Sequence, residues 1–175
     1  MNPRSLCLLL MLLAGNVLAR GVFQTPAAFL DEIFAAAPPA PQVVWLQGDI
    51  KAVAEDILGH SYPGLRIRYW GKDQRTAWIL EEIGKEKPIT VGLVVNQQGI
   101  ELIQVLEFRE SRGWEVRYPF FTEQFQGIGL TTERKLDQPI DGISGATLSV
   151  RALKKLARLA LYLHQQTEFS HDPAP

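Results

Sequence analysis

The chain has 175 residues, 46% of them hydrophobic and 21% charged, a globular composition that excludes a disordered polar chain. Its formal net charge is −1 at pH 7, and its aromatic residues, 9% of the total, are not interleaved with basic ones, so neither a basic field nor a stacking platform exists for nucleic acid. At this length one compact domain is the default, and its core needs no disulfides.

Arg4 precedes an apolar run, residues 6–13, and Val17-Leu18-Ala19 supplies a small-residue cleavage pattern. Residues 1–19 are therefore expected to be a signal peptide and the mature protein to be periplasmic. The run is shorter than the about 20 apolar residues a membrane span needs. Asn16 stands where a lipidated cysteine would be required, so no lipid anchor is expected. Cleavage after Ala19 removes Cys7, the only cysteine, and with it disulfides, iron–sulfur clusters, c-type haem attachment and a cysteine nucleophile. Any redox chemistry must then come from an organic cofactor.

Residues Gly21 to Ile33 have a weak helical pattern, and the Ala/Pro stretch 35–41 cannot continue a helix, so residues 20–41 read as a flexible N-terminal segment. Val43 to Leu46 suggests a strand. Residues 49–58 follow as a helix with Asp49 at its N-cap and Gly59 at its C-terminal end. Four apolar runs come next, 65–70, 76–83, 89–95 and 100–108, joined by short loops that mostly contain glycine, and they read as an antiparallel meander with one buried face. An aromatic stretch around Tyr118 to Phe121 and a loop from Asp137 to Gly145 lead into an amphipathic helix over 146–166. Leu148, Ala152, Leu156, Leu159 and Leu163 form its apolar face. Arg151, Lys154, Lys155 and Arg158 make the outer face basic and solvated. The expected fold class is α+β, an antiparallel sheet flanked by helices, with the domain over 42–168 and a tail over 169–175.

The chemistry is concentrated where the loop becomes the last helix. In Asp141-Gly142-Ile143-Ser144-Gly145-Ala146-Thr147, the small Gly145 and Ala146 let a bulky group approach, and Ser144 or Thr147 can cap the first turn. Free N–H groups and the positive end of the helix dipole favour a phosphate there, and Thr147 offers a hydroxyl that a phosphate can esterify. Residue types and spacing alone leave two readings open, a plain helix cap and a phosphate-bearing site.

The stretch from Asp141 to Ser149 closely resembles the flavinylation motif of the FMN-binding domain family, which includes peripheral subunits of the sodium-pumping NADH:quinone reductase and of Rnf-type complexes. The resemblance implies that a flavin transferase, using FAD, attaches FMN by a phosphoester bond to Thr147. It implies FMN-binding roles for Asp141, Gly142, Ser144, Gly145, Ala146 and Leu148, with Asp141 needed for recognition by the transferase or for orienting the site. Upstream, Val105 to Gly113 is similar to the family's strand followed by Glu-Thr-Pro-Gly, which makes Glu110 and Ser111 contacts to the flavin ring or ribityl chain. Arg112 stands in place of the usual proline, and Trp114-Glu115 follows where a glycine is common.

The implied function is an exported electron-transfer flavoprotein that takes electrons from a membrane redox protein and passes them to an extracytoplasmic acceptor. A flavin-dependent reductase of a small acceptor and a non-redox binding module are the alternatives. Trp114, Phe121, Phe125, Tyr69 and Trp70 are possible flavin neighbours, each of which also suits ordinary packing. His60, His164 and His171 lack metal-ligand spacing, so no metal is expected. Glu81-Glu82 reads as a solvated strand end.

Overall fold

The computed structural model describes residues 21–170; the expected signal peptide lies outside them. Five strands, β1 (Gln42–Trp45), β2 (Arg66–Lys72), β3 (Arg75–Ile83), β4 (Pro88–Asn96) and β5 (Gly99–Phe108), form one antiparallel meander in sequence order. Four helices accompany them: α1 (Pro26–Ile33), α2 (Gly48–Leu58), the single turn α3 (Pro119–Thr122) and α4 (Thr147–His164). The fold is α+β as expected. No helix among the described residues is long and apolar enough to cross a membrane.

The period-two alternation of β3 assigns its faces. Trp78 and Leu80 point to α4 and belong to the main core with Leu153, Leu156 and Leu163, whereas Ala77 points to the opposite face. Trp78 is fully buried, stacks on Tyr69 at 5.0 Å, and donates its indole N–H to Thr76 Oγ1, which in turn meets His164 Nδ1 at 2.8 Å. The same alternation carries Glu82 inward. It is buried rather than solvated, and it meets Lys155 Nζ at 3.3 Å and His60 Nε2 at 2.9 Å. The Ser61 carbonyl and the Glu82 carboxylate both favour the protonated imidazole and hold the His60 pKa above its ordinary value. Lys155 is thus a partner of a buried carboxylate, not part of a purely solvated basic face.

The opposite face is covered by α1. Thr25 Oγ1 caps it by accepting from the Ala28 N–H, Pro26 opens it, and Phe29 lies against Gly92, where any Cβ would come within 2.6 Å of its ring. Ahead of α1, the Phe108 N–H donates to the Gly21 carbonyl, and the N–H groups of Phe23 and Gln24 both donate to the Leu106 carbonyl. The helical pattern over 21–33 is therefore real, but the segment is not loose. It is tied along β5 and sealed by Phe29, Leu30 and Phe34 against Ala77, Val94 and Leu106. Two large aromatics and a leucine in fourteen residues bury enough apolar surface to hold it.

Two end positions differ from the sequence reading. The helix α2 starts at Gly48 with Gln47 at its N-cap, which places Asp49 inside the first turn, while Gly59 closes it in the left-handed conformation as expected. The N-cap of α4 is Ala146, and neither Ser144 nor Thr147 caps it through a side chain.

Candidate functional site

The first residue of α4 is Thr147, and the turn that delivers the chain to it is closed by a hydrogen bond from the Ala146 N–H to the Ile143 carbonyl, 3.0 Å. Gly145 occupies the third position of that turn at φ +82°, a conformation that side-chain-bearing residues rarely adopt. The first helical bond runs from the Val150 N–H to the Ala146 carbonyl. The N–H groups of Thr147, Leu148 and Ser149 precede it and have no partner within the helix, and no side chain caps them. Ala146 is buried and anchors the turn to the core, so the start of the helix is fixed while the Thr147 side chain stays exposed.

A second loop, residues 109–113, approaches this helix start. Gly113 makes the approach possible, because it lies at φ +87° and a Cβ there would come within 2.6 Å of Ser149 Oγ. The result is an open groove of about 610 Å³ lined on one side by Gly145 to Ser149 and on the other by Glu110, Ser111 and Arg112, with Lys85 and Glu86 at its end. Its volume falls within the ordinary range of small-molecule sites.

Glu110 organises the end of the groove. Its Oε1 accepts the backbone N–H groups of Lys85 (2.5 Å), Glu86 (2.5 Å) and Lys87 (2.8 Å), which pins the β3–β4 connection against the end of β5. Burial pushes this carboxyl upward, but the three N–H donors and the Lys87 charge outweigh it and hold its pKa below the usual carboxylate value. One Glu110 oxygen is therefore committed to the protein backbone.

Of the residues expected at the site, Glu110, Ser111, Gly145, Ala146, Thr147 and Leu148 line this single groove. Leu148, which its spacing assigns to the apolar face of the helix, is exposed because it faces the groove. Asp141, Gly142 and Ser144 lie on the exposed approach to the turn and outside the groove lining, with the Asp141 backbone N–H held by Gln124 Oε1 at 2.8 Å. The lining also contains Lys85, Glu86, Arg112 and Ser149, which the sequence reading did not assign. Arg112 was visible only as a departure from a pattern, and nothing in the sequence tied residues 85 and 86 to residue 147.

Beyond Glu110 and Ser111 the groove continues into a recess of about 750 Å³ that also contains Phe23, Lys87, Trp114 and Arg117. The Arg117 guanidinium carbon lies 4.3 Å from the Phe23 ring centre, 4.9 Å from Tyr118 and 5.1 Å from Trp114, within cation–π range of all three. Among the five aromatics considered from sequence, only Trp114 borders this recess. Phe121 and Phe125 are fully buried against each other at 5.5 Å, Tyr69 is stacked on Trp78, and Trp70 packs on the α1 face. Among the described residues, no cluster of His, Cys, Asp and Glu could hold a metal ion.

The geometry defines a class: an α+β domain whose last long helix presents an uncapped start and a hydroxyl to a nucleotide-sized groove. Residues 84–162 match the family model of the FMN-binding domain. The matched stretch contains every residue that lines the Thr147 groove. No curated protein and no solved structure matches the chain.

Proposed function

We propose that this chain is an exported electron-transfer flavoprotein that carries FMN through a phosphoester bond to Thr147. The supporting observation is that Thr147 Oγ1 belongs to an exposed side chain at the uncapped start of an 18-residue helix and opens on the groove. The donor set fits the group: the N–H groups of the first turn and the helix dipole suit a phosphate, and Arg112 adds positive charge, while Lys85 is paired with Glu86 at 3.3 Å. Thr147 would hold the phosphate covalently, Ser111 and Glu110 would border the ribityl chain, and the recess at Trp114 would exclude water from the ring. The bound flavin supplies the redox chemistry, one or two electrons at a time.

Covalent attachment suits an exported protein, because a cofactor that dissociates outside the cytoplasm is lost by diffusion. The N-terminal run 6–13 with its cleavage pattern supports export to the periplasm. The partners of this reading are a flavin transferase for maturation, a membrane redox protein as electron donor and an extracytoplasmic acceptor. A flavin-dependent reductase of a small acceptor is the second reading, favoured by the recess beside the groove; saturable turnover with one acceptor, absent with generic dyes, would select it. The test of the main reading is coexpression with a flavin transferase, denaturing electrophoresis and in-gel fluorescence. A fluorescent band that survives denaturation is the expected result; a protein that is yellow when native but dark after denaturation binds flavin without the bond, and a colourless protein sinks the proposal.

A further inference from the structure

Residues Trp114–Arg117 form a single 3-10 turn, opened by Gly113 at φ +87° and anchored by the fully buried Val116. In such a turn the side chains at i and i+3 eclipse, which brings Trp114 and Arg117 out on one side. Phe23 reaches the same guanidinium from the N-terminal segment, where its own N–H is tied to the Leu106 carbonyl at 2.9 Å. The recess that these residues wall shares Glu110 and Ser111 with the Thr147 groove, so one elongated molecule can occupy both. Gly21 and Phe23 lie outside residues 84–162, so this wall belongs to the chain and not to the matched stretch.

The other cations of the recess are matched. Arg109 pairs with Glu107 at 2.5 Å and with Glu81 at 3.3 Å, and the Lys87 charge acts on Glu110. Arg117 is not matched. Among the described residues it makes no ion pair, although Glu115 precedes it by two residues and Glu123 borders the hollow on its other side. Of its N–H groups only one, on Nη2, has an acceptor, the Tyr118 hydroxyl at 3.2 Å, and its Nε is buried without a partner. The rings of Phe23, Trp114 and Tyr118 hold the guanidinium and take water from it, and cation–π attraction offsets only part of that cost. A planar group with neighbouring acceptors would offset the rest.

We propose that Arg117 binds the carbonyl edge of the flavin ring in this recess and raises its potential. The inference rests on the reading that FMN is attached at Thr147. A guanidinium presents paired donors in one plane, which matches a ring edge where carbonyl and ring-nitrogen acceptors alternate. A flavin ring that takes two electrons from the membrane donor and one proton from solvent gains one negative charge on that edge. Arg117 stabilises the charged form, which raises the potential and removes the need for a second proton.

The full chain and its Arg117→Met and Arg117→Lys variants are coexpressed with a flavin transferase, and intact mass establishes whether each carries one FMN. Each is then reduced with dithionite in equilibrium with a reference dye. Arg117→Met should lower the reduced-to-oxidised ratio at a fixed dye potential at least about tenfold, about 30 mV for a two-electron couple. Arg117→Lys, which keeps the charge without the planar fork, should lose about threefold. In wild type the potential should fall by one proton per two electrons from about pH 6 to about pH 9, about 30 mV per unit, with no steeper limb on the acid side. This last measurement needs no variant, so it decides the matter even where Arg117→Met does not fold. An unchanged potential in Arg117→Met, a lysine variant as low as the methionine one, or a wild-type slope that steepens to two protons per two electrons below neutrality each overturns the role of Arg117 and leaves the bond at Thr147 standing. Absence of an FMN adduct in wild type sinks the attachment and this inference together.

Discussion

One face of the sheet is covered by the 18-residue α4 and by α2, the other by the eight-residue α1 and a short tied segment. On the first face the packing continues from Trp78 through Leu156 to Ala146, so the start of α4, and Thr147 with it, is held by the main core. On the second face the apolar contacts end where α1 ends, and a cavity lined by Ile79 and Leu106 remains. The difference teaches where each kind of site arises. The Thr147 groove is built at the edge of a fully covered face, where backbone groups can be fixed rigidly, and the second cavity arises where coverage stops.

The sharpest way to break this comparison is to empty each face in turn. Trp78→Ala removes a fully buried indole and its bond to Thr76, and it should cost about 3–5 kcal/mol in urea unfolding with loss of cooperativity across the domain. Phe29→Ala should cost less, about 2–3 kcal/mol, because undocking of α1 limits the loss. Hydrogen exchange should then accelerate only over residues 21–34 and the strand backbone beneath them. Equal costs, or global exchange in both variants, would mean that the two faces form one cooperative unit.

A smaller effect tests the edge that carries the groove. Glu110→Ala releases the three N–H groups of residues 85–87 and should cost about 1–2 kcal/mol at pH 7, reduced by the partial exposure of the carboxylate. The folded pKa of Glu110 is depressed, so its contribution is present above the ordinary carboxylate pKa and is lost as pH falls through the lowered value. The difference between wild type and Glu110→Ala in urea should therefore be constant from pH 6 to 8 and vanish in acid. A difference that persists in acid would assign the effect to packing rather than to charge.

Much of this architecture was legible in the residues. The four apolar runs between 65 and 108 and the short loops joining them gave the meander, and Leu156, Leu159 and Leu163 gave the buried side of α4; the expected single buried face was wrong, because α1 covers the second face and β4 is buried on both. The Ser144 to Thr147 string located the helix start. What could not be read was long-range. The docking of residues 21–24 on β5 depends on backbone hydrogen bonds that leave no side-chain pattern, and Glu82 looked solvated because its partners Lys155 and His60 come from distant elements. The second wall of the groove was half visible. Glu110 and Ser111 were found by resemblance, whereas Lys85 and Glu86 reach the groove only through the carboxylate of Glu110. The cap assignment failed for a local reason: the turn at Gly145 places the small, buried Ala146 at the N-cap, which leaves the first N–H groups open.

The central claim is the bond at Thr147. Wild type and Thr147→Ala are each coexpressed with a flavin transferase, digested, and the peptide that contains residue 147 is weighed and fragmented. Thr147 is exposed and makes no capping bond, so the variant should fold within about 0.5 kcal/mol of wild type. The account predicts an FMN phosphoester on Thr147 in the wild-type peptide and an unmodified peptide in the variant. An FMN adduct on Ser144, Ser149 or any other residue, or its persistence in Thr147→Ala, would contradict it.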